Sequence, residues 1–519
     1  MHSFTRRAAR RRLGAVVVAL AVGVTATVAA AGTAVAAKAK PDPTAVLKVG
    51  VPIEDEGGVW FDPGSPTAAG NPSARMWIDL IYDTMIHQTA DKKGAPGLAT
   101  KWEATDPSTV VLTLRTGVKF SNGEDFNAAA VKKAWDRTLA SGRSTLPQEV
   151  TALQSTTAVD DHTVKITLSR PIAQQWIDDV LRSANFLAVP APSTIDAGTV
   201  ATKPVGAGPY AFQSYSTGNL QLTKNKTYWD PKGAPLGGVQ FVQVANGAPA
   251  VSALQAGTVD LIWSVPPDSI ETIKGAGFAI TSTPSERQYY APLCATKGVF
   301  ANKAVRQALN GAFDRASIDA AALFGTGDPN TLIATSTSPF YDAALAKTVK
   351  FDPKKAAAAI KAAGVAPGTK VQLMTASQAP YPAVAEIVQA NLQKVGIEAD
   401  VFESTSFVAD AARLKPDIIV ASLEPNLLLL AFDGESPLNP CAYSNPTVTA
   451  DIEATKNTAA SADTQKAAWA KLQKDVLDDS PAIFLNLQGL IAAHTKSVQN
   501  LTVINSPYGP QLFGVYMTK

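Results

Sequence analysis

Two stretches of this chain carry an apolar residue at every second position: Val110, Leu112 and Leu114, then Val164, Ile166 and Leu168. A backbone read with that period has one buried and one wet face, so each stretch predicts a half-buried antiparallel strand. Between them Val131, Ala134, Trp135 and Leu139 fall on one helical stripe, with Asn127 placed to cap it and Lys132, Lys133, Asp136 and Arg137 on the wet side. A second helix is expected after Asn302, on Val305, Leu309 and Phe313, and a third over 383–395, closed by Gly396. Strands are expected at 46–51 and 397–402. Strands interleaved with amphipathic helices predict an α/β protein with mixed sheets.

A chain of 519 residues, 46% hydrophobic and 17% charged, is long enough for two or three domains and apolar enough to be globular. Residues 1–37 differ from the rest. Arg6, Arg7, Arg10, Arg11 and Arg12 precede an apolar stretch from Leu13 that ends in Ala34-Val35-Ala36-Ala37. That order predicts a signal peptide cleaved near Ala36 or Ala37, with a retained anchor as the other reading. The pathway, general or twin-arginine, stays open. No Cys precedes Cys294, so no lipid-bearing Cys is expected at the mature N-terminus. Without the signal the chain holds 41 basic and 44 acidic residues, a net of −3, and no Lys/Arg stripe that would take nucleic acid. The longest later apolar run, 427–432, is far too short to span a membrane, so no transmembrane segment should remain after signal cleavage. Cys294 and Cys441 are compatible either with one disulfide or with two independent buried thiols.

Reacting groups are sparse. After residue 37 there are His87, His162 and His494, none in an HxxH spacing, so no metal site is expected. The chain contains neither a G-x-S-x-G elbow nor a Gly-Lys dipeptide, which removes a Walker A phosphate loop. Gly206-Ala-Gly-Pro-Tyr210 fails the G-x-G-x-x-G spacing and reads as a tight turn into a strand. An enzyme is not expected, and no cofactor is implied.

Several runs do carry a resemblance. Gly97-Leu-Ala-Thr-Lys-Trp102, Leu112-Thr-Leu-Arg-Thr-Gly-Val-Lys-Phe-Ser-Asn-Gly123 and Val131-Lys-Lys-Ala-Trp-Asp-Arg137 stand in the order and spacing of the family 5 extracellular solute-binding proteins, the peptide/nickel type. Pro204-Val-Gly-Ala-Gly-Pro-Tyr210, Asn225-Lys-Thr-Tyr-Trp229, Val305-Arg-Gln-Ala-Leu309 and Asp314-Arg315 continue the resemblance nearly to the end of the chain. It implies a two-lobed, type II periplasmic-binding-protein-like fold in its large three-subdomain form, with a hinge cleft. After a leader at 38–45, lobe I would comprise 43–288 plus 489–519, with 81–204 as its extra subdomain, and lobe II 289–488. The implied function is a monomeric extracytoplasmic receptor, periplasmic or in the cell envelope or medium, that passes a small-molecule or peptide ligand to an ABC permease and its ATPase subunits. Two other readings are carried: an exported sensor or peptide chaperone on the same fold, and a secreted hydrolase.

The resemblance also nominates cleft residues. Trp60 and Phe61 follow the first strand, where the family turns into its cleft, although Trp60 would serve equally in a lobe core. Trp263 follows a strand end and borders the expected cleft. Arg287, Tyr289 and Tyr290 stand at the entry into lobe II, with Arg287 either facing a ligand anion or lying on the surface. In Asp417-Ile-Ile-Val-Ala-Ser-Leu-Glu-Pro-Asn426, peptide-binding members usually carry an Asp that holds the ligand's α-ammonium; here Ala421 or Ser422 takes its place. Either Glu424 supplies the missing charge, or the ligand has no such group. Asn426 and the leucines of 427–430 adjoin, and the leucines read as helix core or as an apolar cleft wall.

Overall fold

The computed structural model describes residues 40–53, 61–64, 73–89, 93–142, 148–181, 187–432, 434, 436, 438–456, 462–503 and 510–519. The predicted signal segment and Trp60 lie outside them. Residues from Lys40 to Lys519 form one unit.

The alternating stretches are strands Thr109–Leu114 and Thr163–Leu168, and they pair antiparallel with each other, Val110 opposite Ile166 and Leu112 opposite Val164. Ala99–Asp106 and Leu153–Ala158 complete a four-stranded sheet. Across its apolar face lies helix Ala128–Gly142, started by the Asn127 carboxamide oxygen, which accepts from Ala130 N at 3.0 Å. Trp135 is wholly buried there, its ring edge-on to Trp176 and its Nε1 donating to Leu187 O at 2.7 Å. The expected helix on Val305, Leu309 and Phe313 is shorter than the period suggested. It runs Lys303–Leu309, because Asn310 and Gly311 end it and Asp314 caps a new helix, Arg315–Ala322, by accepting from Ser317 N. Phe313 is nonetheless fully buried in the turn between them.

The main sheet has eleven strands among the described residues. Its spatial order is Ile397–Ser404, Thr369–Ala376, Ile418–Leu423, Ala279–Pro292, Ala482–His494, Leu261–Trp263, Val46–Val51, Gly238–Gln243, Asn219–Lys224 and Tyr210–Ser216, with Asp328–Pro329 paired to Ala482–His494. Parallel and antiparallel ladders stand in blocks across it, the mixed arrangement expected. The two long central strands, Ala279–Pro292 and Ala482–His494, serve both halves. His494, Ala493 and Ala492 pair with Leu261–Trp263, while Gln288, Tyr289 and Tyr290 pair with Ile418–Leu423. Between these regions the ladder is interrupted: Pro284 pairs with Gly489 and Gln288 with Leu487, leaving 285–287 outside the register.

The two glycines of the Gly206-Ala-Gly208 turn pack against helix Ala74–Tyr82. A Cβ on Gly206 would lie 2.7 Å from Tyr82 Cα, and one on Gly208 2.6 Å from Ile81 C, so the motif is a close backbone approach. The segment read as a leader is tied down from its described part onward: Pro41 bridges Thr518, and Asp42 N donates to Met517 O at 2.7 Å. Cys294, just past one central strand, is joined to Cys441 by a disulfide, with Cα atoms 4.5 Å apart.

Candidate functional site

Where the two halves of the main sheet meet, a cavity of about 490 Å³ opens. Each half contributes to it. Trp263 and Ser264 come from the end of the short strand Leu261–Trp263, and Gln488 to Ala492 from the central strand Ala482–His494. Tyr289 comes from the facing central strand, Thr326 from the turn after helix Arg315–Ala322, and Gln378 to Pro380 from the loop between Thr369–Ala376 and helix Tyr381–Lys394. Asn246 lines it from the loop after Gly238–Gln243. The Ala379–Pro380 peptide is cis.

Four polar lining side chains, those of Asn246, Ser264, Gln378 and Gln488, make no hydrogen bond to another described residue. The indole Nε1 of Trp263 is buried and likewise has no partner among the described residues. Thr326 is already engaged, its hydroxyl donating to Leu323 O at 2.6 Å. None of the described lining residues is Asp, Glu, Lys, Arg or His.

Beside the cavity a hydroxyl and charge network leads away from Tyr289. Its ring meets Tyr381 edge-on at 5.5 Å; the Tyr381 hydroxyl lies 2.7 Å from Ser422 Oγ; and Ser422 Oγ and O accept from the Arg287 guanidinium at 3.2 and 3.3 Å. Arg287 Nε then donates to Glu424 Oε1 at 3.1 Å. Burial pushes the Tyr289 phenol well above its ordinary pKa, the neighbouring Tyr381 adds to this and Arg287 opposes it, so Tyr289 stays protonated throughout the physiological range.

Of the nominated residues, Trp263 and Tyr289 reach the cavity, and Arg287, Ser422 and Glu424 come together beside it. Arg287 and Glu424 answer each other: the cation nominated for a ligand anion and the carboxylate nominated for a ligand ammonium form one pair. Tyr290 does not join them. Strand pleating sends consecutive side chains to opposite faces, and Tyr290 is buried against Phe432 in the core that also holds Cys294 and Cys441. Phe61 is also buried in core, its ring 5.0 Å from Phe212 and its carbonyl accepting from Tyr82 OH at 2.8 Å. Its neighbour Asp62 holds Arg137 in a two-pronged pair, so Phe61-Asp62-Pro63 anchors the 81–204 region. Asn426 stands in helix Pro425–Leu430, and its side chain lies outside the described ones. In that helix Leu428 is fully buried, whereas Leu427 is exposed.

The sequence reading missed Tyr381, Gln378, Asn246 and Gln488. The signal was weak: Gln378-Ala-Pro-Tyr381 reads as an ordinary turn before a helix, and only the fold carries it to the sheet junction. His87 and His494 are held within the fold. His87 is held by Asp83, and His494 Nε2 lies 3.0 Å from Thr281 Oγ1 across the central strands, with Nδ1 facing Thr495 O.

Known proteins share this architecture. The model for "Bacterial extracellular solute-binding proteins, family 5 Middle" matches residues 93–428. The glutathione-binding protein GsiB of Pectobacterium atrosepticum is 26% identical over 483 residues, which cover 86% of this chain and 90% of that one. Among solved structures, the periplasmic murein tripeptide binding protein MppA, in an unliganded open form, superposes with a TM-score of 0.76 at 18% identity, covering 93% of this chain and 99% of its own. NikA from Brucella suis, in complex with Fe(III)-EDTA, superposes with a TM-score of 0.74 at 24% identity over 92% of this chain and all of that one. With a family model spanning well over half its length and the two-halved sheet of these binding proteins, the chain belongs to the bacterial extracellular solute-binding proteins, family 5.

Proposed function

We propose that the protein is an exported receptor that captures a small solute between two lobes and delivers it to an ABC permease driven by a separate ATPase. The observation that carries this is the cavity at the sheet junction, lined from both halves and holding polar side chains that no described residue satisfies. The lobes are 43–288 with 489–519, and 289–488, joined through the two central strands. Because 285–287 stand outside the register there, bending sacrifices few ladder bonds, and closure would expel water and strengthen each polar contact inside. The family is described as extracellular and MppA as periplasmic, which supports cleavage of the first 37 residues. The MppA and GsiB names make peptides and glutathione compounds to try first, and NikA adds chelated metals.

A thermal-shift screen of the purified protein tests the receptor reading, since a ligand that binds only the folded state raises its melting temperature. At a hundred times Kd the gain is about 2.7 kcal/mol. Small-angle scattering should then show a smaller radius of gyration with the stabilising compound. A full panel of peptides, sugars, chelates and organic acids that leaves both quantities unmoved would sink the proposal. N-terminal sequencing of protein recovered from the culture envelope tests export; a retained Arg6–Arg12 segment would refute cleavage.

A further inference from the structure

We infer that the cleft of this chain takes an uncharged, hydroxyl-bearing solute of carbohydrate type. The inference rests on the receptor reading above and narrows its ligand.

Charge is the first argument. No described residue lining the cavity is ionisable as an acid or base other than Tyr289, which burial keeps protonated. Arg287 and Glu424, beside the cavity, are already paired at 3.1 Å, and Arg287 also donates to Ser422. A peptide bound in the closed cleft would bring an ammonium and a carboxylate out of water with no free counter-charge among the described lining residues to meet them, a cost that paired groups elsewhere cannot offset. A neutral ligand carries no such penalty.

Hydrogen-bonding capacity is the second. Each of Asn246, Gln378 and Gln488 offers two N–H donors and one carbonyl acceptor, Ser264 one of each, and Trp263 Nε1 a buried donor without a partner. A purely apolar ligand would seal these groups away from water unsatisfied, and that costs more than the bonds themselves would contribute. A solute hydroxyl both donates and accepts, so a row of hydroxyls on one small molecule can answer a row of carboxamides. Shape and surface point the same way. Trp263 and Tyr289 are aromatic walls on opposite halves of the sheet, suited to the C–H face of a pyranose ring, and the volume lies within the roughly 300–1,000 Å³ of small-molecule sites.

The test is calorimetric titration of the purified protein with neutral mono- and disaccharides, and in parallel with glutathione, trialanine and nickel–histidine. Gln378→Ala, on an exposed loop, and Trp263→Phe, which removes the indole donor and keeps a ring, are titrated beside the wild type after their melting temperatures have been matched to it. The expected result is saccharide binding that weakens at least tenfold in both variants, with no heat from the charged compounds. Binding of glutathione, trialanine or the nickel chelate without any saccharide overturns this inference and leaves the receptor reading standing. Saccharide binding that neither variant weakens overturns the assignment to this cavity. If no compound binds, and none changes the radius of gyration, the inference and the receptor reading fall together.

Discussion

Asp83 should be among the most costly single residues to remove. Its side chain is fully buried and accepts from four donors: Thr84 N at 2.7 Å, His87 Nε2 at 2.5 Å, Trp229 Nε1 at 2.9 Å and Tyr228 OH at 3.0 Å. It thereby fastens the Tyr228–Trp229 turn, over which Arg115 stacks at 3.7 Å, to the end of helix Ala74–Tyr82. Replacing Asp83 by Ala strands these donors where water does not reach. With about 1 kcal/mol for each orphaned donor, and up to about 3–5 kcal/mol for breaking a buried charged pair, the loss should be about 4 kcal/mol. Asp83 also has a φ of 65° with a ψ of 169°, a region disfavoured for every residue with a Cβ, so Asp83→Ala leaves that strain in place and Asp83→Asn isolates the loss of charge. Urea denaturation at constant m reads the change. Burial alone would lower the His87 pKa, but the Asp83 carboxylate beside it raises it on balance. The folded value therefore exceeds the ordinary 6.5. This contribution is complete below about pH 6.5 and is lost as pH rises through the folded value. In Asp83→Asn that loss of stability with rising pH should disappear. A loss below about 1 kcal/mol in Asp83→Ala, no more than a single orphaned donor would cost, would refute the reasoning.

Three other outcomes are expected. Breaking Cys294–Cys441 by Cys441→Ser releases a closed loop with a sequence separation of 147, worth at most about 5 kcal/mol by chain entropy, and the melting temperature of the wild type should fall similarly on reduction. In Gly489→Ala the new methyl would stand 2.7 Å from both Thr326 Cβ and Oγ1, so the strand must shift; stability should drop by about 1–3 kcal/mol, and scattering should report an altered lobe arrangement. Arg287→Gln frees Glu424 of its partner. Because Arg287 is 37% exposed the stability cost should be only about 0–1 kcal/mol, while calorimetry should detect new binding of amine-bearing compounds.

Much of the fold was legible because its signals are local. Val110, Leu112 and Leu114 announce a strand by their spacing alone, and Asn127 and Gly396 mark element ends by their own local chemistry. Phe313 shows the limit: its spacing fitted one helix, but Asn310, Gly311 and Asp314 divide the segment, and capping outweighed periodicity. The site was less legible. Trp263 and Tyr289 stood out as aromatics at strand ends, yet which of Tyr289 and Tyr290 faces the cavity depends on register, set by ladders to residues more than a hundred positions away. The mutual pairing of Arg287 and Glu424 depends on the same long-range register. Gln378, Asn246 and Gln488 belong to three separate loops and strands, and nothing local distinguishes a free carboxamide from any other surface Gln or Asn.

The strand order of the main sheet bears on how the chain comes into being. Leu261–Trp263, between Val46–Val51 and the centre, cannot complete its ladder until 492–494 arrive, and the backbone beside Pro41 finds its partner only at 517–518. A ribosome therefore releases nearly the whole polypeptide before its N-terminal half can close. Contacts of such long sequence separation form slowly. If the proposed export follows the general route, which threads an unfolded chain through a narrow channel, that delay is a window in which the chain stays loose enough to pass.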